Sequence, residues 1–247
     1  MTTIPMATQQ QDAPSVPVPV IFLSPPPADR VGFARYRNTM SDFLETQGVS
    51  GVLLVSARKV EPSKSFNPVL HIGVAGRAVD ELSVILAEAV AARLGDAGMC
   101  ADLEQGGGSG WPAAMAVFDA NAPPAIHLSL PVNFGPDLMI LAGAALAPLR
   151  ESGVLLAVCG DAFDDRVRAP LGRRSLAEAK VWARGETPDS FRGVYPMLFM
   201  MGAAGDADRL LDVATLPGAR IVAFHSSEAP EGDHIAETAP SAALEGE

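Results

Sequence analysis

Three short apolar runs, at 20–23 (VIFL), 51–56 (GVLLVS) and 153–159 (GVLLAVC), constrain the fold of this chain more than any other feature. Each is too short for a buried helix, carries β-branched residues and lacks the alternation of a strand with one wet face. Each therefore predicts a strand covered on both sides. Between them lie segments with helical spacing. Residues 30–47 read as one helix, and 78–94 as another, with Val79, Leu82, Ile85, Leu86, Ala89 and Val90 three and four apart and Gly95 as its stop. Residues 125–130 alternate, which sets His127 and Ser129 on the face opposite Ile126, Leu128 and Leu130. Further helices are expected at 137–151, 175–184 and 195–201, and a last strand at 220–224.

Strand, helix and strand in this order predict an α/β fold: one layered domain with a central, mostly buried sheet flanked by helices. The chain has 247 residues, 48% of them hydrophobic, enough for a single large core. Residues 1–19, rich in Thr, Gln and Pro, and the acidic stretch 228–247 show no periodicity, and are expected to be a disordered lead-in and tail around a folded body at 20–227.

Charge narrows the partners. A formal net charge of -11 with 18 Lys and Arg scattered along the chain gives a field that repels nucleic-acid backbones and anionic lipid. No basic residue precedes Arg30, and the first apolar run is broken by Pro17 and Pro19, so neither a signal peptide nor a membrane span is expected there. Two cysteines, Cys100 and Cys159, with no metal-ligand spacing, fit a reducing, cytoplasmic setting.

The isolated motifs are weak. The glycine cluster at 106–110 lacks the Lys-Ser/Thr that closes a phosphate-binding loop and reads as a flexible loop. Of the four histidines, His71, His127, His225 and His234, no two have a spacing that would bring them together within one helix or strand, and each reads as structural or solvated. Cys159 ends a buried strand, where a nucleophile can be displayed, but no histidine is placed to activate it. Asp161, Asp164 and Asp165 lie beside Arg166 and Arg168 and read as a self-neutralised surface.

Taken in order, the segments 22–24 (FLS), 51–57 (GVLLVSA), 108–112 (GSGWP), 126–130 (IHLSL), 149–160 (LRESGVLLAVCG) and 195–203 (YPMLFMMGA) resemble the DOPA-dioxygenase-like branch of the class III extradiol ring-cleavage dioxygenases. The resemblance implies that family's α/β fold, a site built from histidines, and relatives that use non-haem Fe(II), or bind zinc, to open catechol rings with O2. It also implies where the histidines should stand. The family's Gly-His-Gly-Ser-Pro is matched by 24–28, which puts Pro25 at the first ligand position, and its Ser-Ala-His-Trp is matched by 56–59, which puts Arg58 at the second. The histidine of its Asp-His-Gly-Ser/Thr-Trp segment falls at Gly108, that of Ser-Gly-Asn-x-x-His at Asp164, and that of Glu-His-Tyr-x-Pro at Gly193. The chain is also shorter between Val69 and Ala78, where relatives carry a substrate-proximal loop.

Pro25, Arg58, Gly108, Asp164 and Gly193 do not make a redox-metal site, since none is an imidazole and Arg58 is a permanent cation. The expectation is a degenerate, non-catalytic homologue with no catalytic, cofactor or metal residues of its own. It would act as a scaffold or regulatory subunit, as a homo-oligomer or beside an intact dioxygenase paralogue, with Met139, Met197, Met200 and Met201 as interface material. Two alternatives stand beside it. One is an enzyme or binding protein that reuses the former catechol pocket, with Arg58 pairing with a carboxylate and Asp161 or Asp164 acting as acid or base; the other is an active Fe(II)-dependent dioxygenase.

Overall fold

The computed structural model describes residues 16–58, 67–72, 79–105, 118, 123–131, 135–160, 165–185 and 191–226. Eight strands form one sheet: β1 (Val20–Leu23), β2 (Gly51–Arg58), β3 (Val69–Ile72), β4 (Asp102–Gln105), β5 (Ala125–Pro131), β6 (Val154–Cys159), β7 (Asp208–Leu216) and β8 (Ala219–Ser226). The six helices are α1 (Arg30–Thr46), α2 (Glu81–Asp96), α3 (Gly135–Leu146), α4 (Asp165–Arg173), α5 (Leu176–Gly185) and α6 (Phe191–Ala203). Strand order is β4-β3-β5-β2-β6-β1-β8-β7. The central four, β5, β2, β6 and β1, run parallel, while β3 and β8 pair antiparallel to them and carry the outer strands β4 and β7. Among the described residues, no helix is long and apolar enough to cross a membrane.

The apolar runs became strands for the expected reason. Val20, Ile21, Phe22 and Leu23 are all buried, as are the six residues of β6, because residues on alternate faces enter two different cores. One core joins Phe22, Leu53, Leu156 and Val158 to α2, α3, α5 and α6; the other joins Ile21, Leu23, Leu54 and Ala157 to Tyr36, Met40 and Leu44 of α1. α1 starts where expected because Asp29 accepts a hydrogen bond from Gly32 N at 2.7 Å, a side-chain N-cap.

Several expectations need correction. In α2 the buried stripe is Ser83, Leu86, Ala87, Val90 and Leu94, while Val79, Leu82 and Ile85 are exposed. The apolar residues of 79–90 cover more than one face, so spacing alone could not choose the inner one. The helix passes through Gly95 and stops at Gly98, whose φ of +77° reverses the chain. The helix expected over 137–151 is two elements, α3 and a 3-10 segment (Ala147–Ser152) with proline in its first turn, since Pro148 supplies no N–H to an α-helical ladder. β3, β4, α4 and β7 went unread: the first two are four residues each, α4 is largely polar, and β7 is a half-exposed strand next to the edge of the core. Met139, Met197, Met200 and Met201 are buried, so they fill the core and are not free for an interface.

Two contacts lock the layers. α3 crosses α6 through glycines: a Cβ on Gly143 would overlap Phe199 O, and one on Gly202 would overlap Ile140 O. Arg150, fully enclosed, donates through Nε to Val18 O at 2.7 Å and through Nη1 to Ala203 O at 2.9 Å and to Asp208 Oδ2 at 2.8 Å. The packed body thus begins before β1, with Val18 buried and its N–H donated to Arg150 O.

Candidate functional site

The parallel strands β1, β2, β5 and β6 all end at one edge of the sheet, the usual place for ligands in open α/β folds. On the face covered by α1 the core is apolar across β1, β6 and the first half of β2, then turns polar toward β5, β3 and β4. The side chains responsible are Ser56 and Arg58 on β2, His127 and Ser129 on β5, His71 on β3, and Asp102 and Glu104 on β4. They share a face through period-two alternation and meet through register, with Ser56 opposite Ser129, His71 opposite His127, and Glu104 opposite His71.

Ser56 Oγ and His127 Nε2 are hydrogen-bonded at 2.8 Å. His127 stacks on His71, with ring centroids 5.2 Å apart and planes 14° from parallel. His71 Nδ1 lies 3.3 Å from Glu104 Oε2. Burial, aided by the neighbouring His71, pulls the His127 pKa down to about 3, so the imidazole is neutral at physiological pH. Burial also lowers His71, opposed by Glu104 and reinforced by Arg58. This pair is the main correction to the histidine reading: two histidines 56 positions apart in sequence meet across an antiparallel pair whose short strand, β3, had not been recognised.

Chemically the row is a polar network more than a catalytic relay. A base whose pKa is near 3 is poorly matched to accept the Ser56 proton at neutral pH. Parallel stacked rings also direct their nitrogen lone pairs along separate planes, and His127 Nε2 is occupied by Ser56, so the two imidazoles do not converge on a shared ion. Among the described residues, no three His, Cys, Asp or Glu side chains group as a metal site.

The fold is similar to that of the uncharacterized protein JW3007 from Escherichia coli K12, with a TM-score of 0.62 and 15% identity over 84% of this chain and 99% of that one. At that identity the likeness shows the fold alone. No protein-family model matches the chain, and no curated protein matches it.

Pro25 is exposed immediately after β1, and Arg58 is the last residue of β2, with β6 between their strands. The segment around Pro25 has structural duties: Ser24 Oγ donates to Arg220 O at 3.0 Å and accepts from Arg220 N at 2.6 Å, and Tyr36 Oη donates to Ser24 O at 2.9 Å. Arg58 is partly buried; Nη2 donates to Asn67 O at 2.9 Å, and Asn67 in turn donates to Asp102 Oδ1 at 3.2 Å. Gly193 lies in the first turn of α6, and Gly108 and Asp164 fall outside the described residues, as do Asp161 and the glycine cluster. Asp165 begins α4. Cys159 is buried at the end of β6, and burial pushes its thiol well above the usual range, the behaviour of a small hydrophobe rather than a nucleophile.

A bound Fe(II) or zinc does not fit the described part of this edge. Pro25 and Gly193 offer no side-chain donor, and Arg58 offers only N–H groups and a positive charge.

Proposed function

We propose that this chain has a class III extradiol dioxygenase-like fold without the ring-cleavage reaction, and works by binding and association as a scaffold or regulatory subunit. The observation that carries the reading is Arg58. It stands at the end of β2, where the sequence resemblance expects a metal-binding imidazole, and it is anchored there by Asn67 O. Support comes also from the histidines that the chain does keep near this edge. His127 is committed to Ser56, and its lowered pKa suits an internal hydrogen-bond network better than proton transfer.

The test is metal analysis of untagged protein purified without chelator, joined to O2 uptake with catechols, DOPA and protocatechuate among them. The reading expects no stoichiometric iron or zinc, no yellow ring-opened product and no uptake above buffer. About one iron per chain with turnover would restore an active dioxygenase. For the partner, we propose a second copy of this chain or a catalytically intact paralogue. With the methionines enclosed, the apolar area left outside includes Leu82 and Ile85 on α2, Leu138 and Leu141 on α3, and Val181 on α5. Light scattering at micromolar concentration and affinity capture from the native cell check this, and a strictly monomeric species that captures no paralogue contradicts it.

A further inference from the structure

α3 is apolar all the way round, yet one of its faces is open. From Leu138 to Leu146 it carries no charged or hydrogen-bonding side chain, and a helix of that composition is ordinarily enclosed. Its inner stripe is enclosed, with Met139, Ala142 and Leu146 buried. Its outer stripe is not, since Leu138 and Leu141 are exposed. The neighbouring helices extend that surface, because α3 lies between α2 and α5 on one side of the sheet and packs against each. Of the twelve large apolar side chains exposed among the described residues, seven stand on these three helices, with Leu82 at 60% and Val181 at 66% the most open of them. Single exposed apolar residues are ordinary, but an apolar face spread over adjoining helices marks an association surface.

Size and charge select a second copy of the chain as what covers it. Helices of 16, 12 and 10 residues, about 10 Å apart and rising about 1.5 Å per residue, lay out a plate on the order of 500 Å². With side chains in relief, such a plate suits the about 800 Å² of accessible surface that each partner of a specific dimer gives up. The plate is also polarised. On α2, Glu81, Glu88 and Asp96 are exposed against Arg93 alone. On α5, Arg184 is exposed, Lys180 pairs with Asp137 at the start of α3, and Glu178 is taken by Arg173. Glu81, Glu88, Asp96 and Arg184 form no ion pair among the described residues. A face with acid on one flank and base on the other is complementary to itself, since α2 over α2 repels and α2 over α5 attracts. A second copy supplies that match with every contact made twice.

We propose that this chain forms a two-fold dimer through the outer faces of α2, α3 and α5, with α2 of each copy lying over α5 of the other. The inference rests on the reading above that the chain works by association, and commits that reading to a second copy and to one face.

Sedimentation velocity and light scattering on the full chain, from low to high micromolar concentration, read the assembly. A dimer is expected. Leu141→Glu, which sets a carboxylate within the apolar face of both copies, should raise the dissociation constant at least about 100-fold. Glu88→Lys and Arg184→Glu should each raise it by about tenfold, and the two together in one chain should recover most of that loss. Val31→Glu, at a position 64% exposed on α1 across the sheet, should dimerise as the parent does. Circular dichroism checks that each variant is folded; if Leu141→Glu is not, the charge reversals decide. The proposal is overturned by a monomer at every concentration, by a dimer that Leu141→Glu leaves intact, by charge reversals that do not compensate, or by an equal loss in Val31→Glu. Affinity capture with the same variants separates the two failures. A monomer that still captures an intact paralogue, or a dimer indifferent to these helices, removes this inference alone, whereas a monomer that captures none removes the association reading as well.

Discussion

At the scale of single residues, the sheet's polar row makes His127 a sensitive reporter. Its pKa falls from the ordinary 6.5 to about 3 on folding, so the folded chain binds fewer protons than the unfolded chain below the unfolded value. Stability from this group is therefore complete above about pH 6.5 and declines as pH falls toward 3, by about 1.4 kcal/mol per pH unit once the unfolded imidazole is protonated. His71 is shifted in the same direction and adds to the effect. His127→Gln should remove about 2 kcal/mol of the stability lost between pH 7 and pH 5, measured by urea unfolding of both proteins at each pH. An unchanged difference would mean that His127 is not held neutral. The buried Arg150–Asp208 pair gives a second test. Asp208→Asn leaves a guanidinium enclosed with no counter-charge and also disturbs the bond that Asp208 Oδ2 accepts from Gly205 N at 2.9 Å. A loss of about 3 kcal/mol or more is expected in the same unfolding assay.

At the scale of elements, the α3–α6 crossing depends on two glycines that let backbone meet backbone. A methyl group at Gly202 would have to displace Ile140 O, and one at Gly143 would have to displace Phe199 O, neither of which is the free end of a flexible side chain. Gly202→Ala should therefore cost about 3 kcal/mol, despite the gain in helix propensity, with a matching fall in denaturation midpoint. The same crossing shows what a sequence hides. The strands β1, β2 and β6 were readable because both of their faces are covered, which leaves a continuous apolar run. α2 was readable as a helix but not by its buried face, since Leu82 and Ile85 are as apolar as Leu86 and Val90. β3 and β4 carry too few residues for any period to register, and with them went the contact between His71 and His127. Arg58 was legible as a candidate only through the resemblance, which aligns it with a ligand histidine. Its neighbours Asp102 and Glu104 come from the far edge of the sheet, and only topology brings them near.

At the scale of the whole molecule, the question is what specifies the fold. Both faces of β1 and β6 are enclosed by apolar cores, one against α2, α3, α5 and α6 and one against α1. Burial of that surface is the dominant favourable term in folding, and it needs no ion to complete it. The polar row at the β2–β5–β3–β4 side is bridged by its own hydrogen bond and ring stack. A metal that bound the folded chain alone would add stability in proportion to the logarithm of its concentration over its dissociation constant, and chelation would take that increment away. Thermal unfolding of the protein as purified, scanned with and without excess EDTA, should give one cooperative transition at the same midpoint in both. A midpoint that drops by several degrees on chelation, and recovers when iron or zinc is restored, would show that an ion helps to hold the sheet together and would overturn the account of Arg58 as a replacement for a metal ligand.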